Sequence, residues 1–323
     1  MKKAFITWIN GQDWAYLSDL LLRKWYIVLW LVKNDESSLA NLEYFGISQK
    51  ITLYVWDLRD QTIITTIIRD NQPDEIYHLW WLTSPGESRH LVSEYISTNT
   101  QSIVSIILAT LEHAPDAKIF NAATSEMFWN SHDEGLQTEN TPLKPTNPYA
   151  VTKLFAYRMA NIYRQSHNLF IVNGILFNHE SPLRPLHFVT RKITDGVARI
   201  AQWLQGKLVL GNLDAKRDRW YAGDFVEGIR LSMQQDISDT YIFSTWYTNT
   251  IKDILDIAFG YVGIDNRESY VVLDPAFNRP INLTHLYGKN DKAKTVLWRE
   301  PKTSFQELIK MMMEEDMRRV ILK

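Results

Sequence analysis

Short apolar runs alternate along the first half of this chain with longer stretches in which apolar residues recur at helical spacing. Runs at 4–7, 26–32, 51–55, 75–79, 118–121 and 169–176 have the length of buried strands. Their near-continuous apolar character fits strands covered on both faces. Between them, 13–24, 61–71, 93–113 and 148–165 carry the period of amphipathic helices. Strands alternating with helices predict an α/β fold with a doubly wound parallel sheet, and ligands in such folds sit beyond the carboxyl ends of the strands. After residue 178 the alternation loosens. Helices near 190–205, 251–262 and 304–320 mix with loops rich in Asn, Asp and Pro. The pattern predicts two parts: residues 1–177, and a smaller lobe over 178–323, partly interleaved with the first.

Composition narrows the function classes. A chain of 323 residues can bury a substantial core. Its 35 basic and 37 acidic residues are nearly balanced, which gives no reason to expect nucleic acid or a membrane as partner. Without cysteine there is no disulfide or thiolate metal site, no metal is expected, and a cytoplasmic compartment is the default. Met1-Lys2-Lys3 imitates the head of a signal peptide, but the apolar run that follows is short and is interrupted by Asn10, Gln12 and Asp13.

Candidate chemistry clusters after the fifth predicted strand. Tyr149 and Lys153 in Tyr149-Ala150-Val151-Thr152-Lys153 are four apart, hence on one helix face. There an ammonium can lower a phenol's pKa and hold a cofactor ribose, giving a Tyr that moves a proton near neutral pH. Alone, the spacing is common on surface helices. Upstream, Thr124 and Glu126 are two apart on a segment read as extended, so their side chains can point the same way. A carboxylate in a partly closed pocket suits proton transfer, whereas in an open loop it is merely solvated. Downstream lies Asn173-Gly174-Ile175-Leu176-Phe177-Asn178-His179-Glu180-Ser181-Pro182.

In this order the three segments resemble the extended short-chain dehydrogenases and, within them, the GDP-mannose 4,6-dehydratase family. Gly11-Gln12-Asp13, Pro73-Asp74-Glu75-Ile76-Tyr77, Phe188-Val189-Thr190-Arg191-Lys192-Ile193 and Gly211-Asn212-Leu213-Asp214-Ala215-Lys216-Arg217-Asp218 extend the resemblance over nearly the whole chain. It implies a Rossmann-type fold with a C-terminal substrate-binding lobe. It also implies a hydro-lyase that turns GDP-mannose into GDP-4-keto-6-deoxymannose. Tyr149, partnered by Lys153, takes the O4 proton as hydride leaves C4 for the nicotinamide. Thr124 bonds the C4 hydroxyl. Glu126 removes the C5 proton and helps expel the C6 hydroxyl, and the hydride returns to C6. Sugar epimerases need no base at the Glu126 position.

The same resemblance assigns Trp8, Gly11, Gln12, Asp13, Lys33, Asp57, Leu58, Leu79, Tyr95, Tyr149, Lys153, His179 and Arg184 to the cofactor, and Asn178, Lys192, Arg217 and Arg279 to the nucleotide-sugar. Guanidinium suits a pyrophosphate through bidentate bonds. Lys33 and Asn34 stand where the family has paired arginines for a 2′-phosphate, and the nearest acid is Asp35, so the expectation is NADP rather than NAD. Asn282 replaces a family glutamate at the nucleotide ribose. A homodimer or homotetramer is implied. Two other readings stand beside this one. The first is another nucleotide-sugar dehydratase, epimerase or reductase. The second is a catalytically inactive homologue serving as a binding subunit.

One departure is systematic. The family's phosphate-binding turn is G-x-x-G-x-x-G, and here it runs Trp8-Ile9-Asn10-Gly11-Gln12-Asp13-Trp14. Trp25, Trp30, Trp56, Trp129, Trp203, Trp220, Trp246 and Trp298 also occupy family glycine positions, and Trp80 and Trp81 occupy positions of small residues. All 12 tryptophans are thereby covered, in a chain with 13 glycines. Overpacking costs about 1–3 kcal/mol per site, so a dozen such changes would exceed a total stability of about 5–15 kcal/mol. The pattern is what results when a gene whose UGA codons mean glycine is translated with a table in which UGA means tryptophan. Reading the 12 as glycine brings the composition to the usual ~7%. If the tryptophans are real, the inactive-homologue reading follows.

Overall fold

The computed structural model describes residues 1–7, 11–33, 39–56, 62–79, 82–129, 135–277, 285–297 and 300–322. Its centre is a sheet of seven strands: β1 (Lys3–Thr7), β2 (Ile27–Lys33), β3 (Thr52–Trp56), β4 (Glu75–His78), β5 (Lys118–Thr124), β6 (Ile171–Leu176) and β7 (Thr240–Phe243). The spatial order is β7-β6-β5-β4-β1-β2-β3, and every neighbouring pair is parallel. The order reverses between β1 and β4, where an open α/β sheet leaves a crevice at its carboxyl edge.

Helices cover both faces: α1 (Gln12–Arg23), α2 (Ala40–Phe45), α3 (Thr62–Asn71), α4 (Val92–His113), α5 (Pro148–His167), α6 (Val189–Ala201), α7 (Ala222–Ser232), α8 (Ile251–Tyr261), α9 (Asp291–Leu297) and α10 (Phe305–Ile321). The main core joins the sheet to α1, α3, α4, α5 and α7, through residues such as Phe5, Leu17, Ile106, Ile171 and Phe225. A second core packs α6, α8 and α10 together through Ile193, Val197, Ile254, Leu255, Leu308 and Met312. Under the crevice a polar row crosses the buried sheet. Thr7 Oγ1 lies 3.0 Å from His78 Nδ1, and Asn121 Nδ2 donates to Asn173 Oδ1 at 2.7 Å.

Two local expectations change. β5 runs on to Thr124, and Glu126 lies in a 3-10 turn, Ser125–Met127, instead of an extended segment. The Thr124 hydroxyl caps that turn by accepting from Glu126 N at 3.3 Å. Past residue 178 the chain also returns to the first part: α7 packs on α1, and β7 pairs with β6 at the sheet edge.

The tryptophans mark the backbone. Among the described residues, five non-glycines have positive φ, and three are Trp25 (64°), Trp203 (58°) and Trp246 (72°). The first two follow the C-caps of α1 and α6. Trp25 N donates to Leu22 O and Tyr26 N to Leu21 O, both at 3.1 Å. Trp203 N donates to Ile200 O at 3.0 Å and Leu204 N to Arg199 O at 2.9 Å. These are Schellman pairs, whose left-handed residue is usually glycine. The second pair ends α6 at Ala201, short of the predicted 205. Trp14 on α1 and Trp30 on β2 are buried with ring centroids 4.1 Å apart, closer than the 4.5–7 Å usual for aromatic pairs. Neither indole N–H has a hydrogen-bond partner among the described residues.

Candidate active site

A cleft of about 1310 Å³ opens at the carboxyl edge of the sheet. It runs from the start of α1, past the ends of β5 and β6, to α6 and the 211–217 loop. Fourteen of the residues singled out in the sequence line it: Gly11, Gln12, Asp13, Leu79, Tyr95, Thr124, Glu126, Tyr149, Lys153, Asn178, His179, Arg184, Lys192 and Arg217. Trp8, Asp57, Leu58 and Arg279 lie outside the described residues, as does the side chain of Lys33.

The local sequence explains the placement. Asn147 caps α5, accepting from Ala150 N at 2.9 Å, and Pro148 occupies the first helical position, where its missing N–H costs nothing. Tyr149 and Lys153 therefore sit in the first turns of α5, and both are buried. Burial pushes the Tyr149 phenol well above its ordinary pKa, while a hydrogen bond with Thr124 and the charge of Arg184 pull it down. Burial also drives the Lys153 amine well below its usual range, opposed by the charge of Asp13.

Lys153 reaches from α5 to the backbone of β5. Its Nζ donates to Ala122 O at 2.6 Å and lies 5.6 Å from the centroid of the Tyr149 ring. In this geometry Thr124 and Arg184 favour the phenolate.

The far wall is tied to the start of α1. His179 Nε2 lies 2.6 Å from Asp13 Oδ2, and its Nδ1 lies 2.8 Å from Phe177 O. Gln12 Nε2 donates to His179 O at 2.6 Å, and Ser181 Oγ donates to Gln12 Oε1 at 2.6 Å. Among the described residues α1 begins after Gly11 without a side-chain cap, so its first turn can offer N–H groups to an anion in the cleft. Trp14 stands in the same wall. Arg184 is held against Glu180 at 3.2 Å and stacks 3.7 Å from the Phe188 ring centroid.

Two contributors carried no sequence signal of their own. Arg191 on α6, inside a family-like segment, pairs with Asp316 of α10 at 2.6 Å. It also donates to Pro182 O at 2.7 Å and Arg184 O at 3.0 Å, which fixes the loop behind Arg184. Asn147, which the sequence did not single out, donates from Nδ2 to Glu126 Oε2 at 3.2 Å. The described residues contain no cluster able to hold a metal ion and no helix long and apolar enough to cross a membrane.

The profile of the family described as GDP-mannose 4,6 dehydratase matches residues 5–312. The chain belongs to that family. It is similar to GDP-mannose 4,6 dehydratase 2 of Arabidopsis thaliana, with 38% identity over 98% of this chain and 87% of that protein. Among solved structures it resembles the UDP-glucose 4-epimerase of Thermus thermophilus in complex with NAD, at a TM-score of 0.85 and 21% identity, covering 97% of this chain and 98% of that one. RMD from Pseudomonas aeruginosa, complexed with NADPH, superposes at a TM-score of 0.80 with 15% identity, over 99% and 100% of the two chains. These structural likenesses carry the fold. The dehydratase reading rests on the family match and the sequence relatives.

Proposed function

We propose that this dehydratase converts GDP-mannose into GDP-4-keto-6-deoxymannose, as a hydro-lyase with NADP held along the start of α1. The observation that carries the reading is the convergence of Thr124, Glu126, Tyr149 and Lys153 on one cleft that also holds the α1 N-terminus and the basic residues Lys192 and Arg217. The first turn of α1, with no side-chain cap at Gly11, suits a pyrophosphate, and similar folds bind NAD or NADPH. When bound, the nicotinamide supplies a reversible hydride acceptor.

The chain's own residues divide the remaining work. Thr124 hydrogen-bonds the C4 hydroxyl, and Tyr149 takes that hydroxyl's proton as C4 becomes a ketone. The ketone acidifies C5–H. Glu126 removes that proton and returns it to the departing C6 hydroxyl, which leaves as water. Lys153 orients the cofactor ribose, with Asp13 supporting its charge. Asn178, Lys192, Arg217 and Arg279 hold the nucleotide-sugar, the basic ones on its pyrophosphate.

Incubating the protein separately with GDP-mannose, UDP-glucose and dTDP-glucose, each with NADP or NAD, tests the assignment. A 4-keto-6-deoxy product from GDP-mannose, formed faster with NADP, is expected. Turnover of only a UDP- or dTDP-sugar, or epimerisation without water loss, would overturn it.

A further inference from the structure

Asn147 lies between two parts of the site that the sequence treats separately. Its Oδ1 accepts from Ala150 N at 2.9 Å and so caps α5, the helix that carries Tyr149 and Lys153. Its Nδ2 donates to Glu126 Oε2 at 3.2 Å, on the turn after β5. The residue is buried and bridges 21 positions of chain. A serine or aspartate would cap the helix equally well. Neither would present an N–H to the carboxylate.

We propose that Asn147 is a positioning residue for the dehydration step, holding the Glu126 carboxylate at the orientation from which it meets C5–H. The amide acts through Glu126. Because Oδ1 is fixed by the helix cap, Nδ2 is aimed in one direction only, so the cap and the carboxylate are oriented by one side chain. The proposal rests on the dehydratase reading.

Asn147→Ser keeps the cap and removes the amide donor, its shorter hydroxyl staying at the cap, and Asn147→Asp keeps the cap and turns an acceptor toward Glu126. Both are assayed with GDP-mannose and with GDP-mannose deuterated at C5, alongside Tm. For Asn147→Ser the expected result is an unchanged Tm, KM within about twofold of the parent and kcat lower by about tenfold, the scale of one hydrogen bond to a charged group. The C5 isotope effect on kcat should rise, because proton removal becomes slower. Asn147→Asp should lose more kcat, through repulsion between two carboxylates. Parent-like kcat and isotope effect in Asn147→Ser would overturn the proposal, as would losses of kcat matched by a fall in Tm. A parent protein inert toward GDP-mannose would instead sink the dehydratase reading, and the positioning role with it.

Backbone geometry carries a second, independent inference. A left-handed conformation strains a residue that carries a side chain, and glycine hardly at all. Trp25, Trp203 and Trp246 all adopt it, two of them at Schellman positions. Trp14 and Trp30 bury two indole N–H groups without partners among the described residues, where α1 meets β2. We infer that the protein its native host makes carries glycine at the tryptophan positions, with UGA read as glycine. The intact mass of the protein purified from that host should fall below the mass of this sequence by 12 Trp-to-Gly differences. A mass equal to that of the sequence would overturn the inference.

Discussion

Tyr149 illustrates how single residues set the chemistry. Burial opposes ionisation of its phenol, and the largest opposing influence is the hydrogen bond with Thr124, ahead of the Arg184 charge. Removing that bond must raise the phenol's pKa. At a given pH less phenolate is then present, and the ascending limb of the pH–kcat profile moves to higher pH. Thr124→Val is therefore expected to shift the limb upward and to lower kcat at pH 7 by about 10²-fold, the lower end of what general acid–base catalysis contributes. A limb that stays in place would show that Thr124 does not tune Tyr149. Lys153 has the complementary problem. Its buried amine is pushed toward the neutral form, and Asp13 supplies the counter-charge. The tie from His179 to Asp13 thus connects the β6 side of the cleft to the charge state of Lys153.

At the scale of elements, α6 and α10 hold the loop behind Arg184. Asp316 is fully buried and accepts from Arg191 and from Thr194 Oγ1, the latter at 2.7 Å. Asp316→Ala would leave the Arg191 guanidinium buried without its carboxylate, a change worth about 3–5 kcal/mol. Denaturant unfolding of that variant is expected to show a loss of this size, and a loss below about 1 kcal/mol would mean the pair is dispensable. Much of the element order was legible in the apolar periodicity, and the structure shows the helix starts it gave to be capped. Asn147-Pro148 starts α5, and Thr250 and Ser304 form capping boxes with Asp253 and Glu307. Strand β7 escaped notice because it is four residues long and lies between polar loops, so pairing with β6 defines it more than any pattern of its own. The turn at Glu126 escaped for a related reason. Its cap is the hydroxyl of Thr124, which belongs to the preceding strand. The Asn147–Glu126 contact could not be read at all, since 21 residues separate the partners and only the fold brings them together.

At the scale of the molecule, the parallel sheet delivers β1, β4, β5 and β6 to one edge, so the catalytic candidates and the start of α1 face a single cleft. The second core closes that cleft from the side of α6 and carries Lys192. The arrangement makes sense of a redox-neutral dehydration. Under the proposed function the hydride acceptor, the base and the nucleotide-sugar grip share one space, and no sugar intermediate need leave between oxidation at C4 and reduction at C6. GDP-mannose carrying deuterium at C4 tests this account most directly, with the product examined by NMR. The account requires the deuterium to appear at C6 of the 4-keto-6-deoxy sugar, without net consumption of a nicotinamide. A product whose C6 carries only solvent hydrogen, or turnover that consumes the cofactor stoichiometrically, would contradict it.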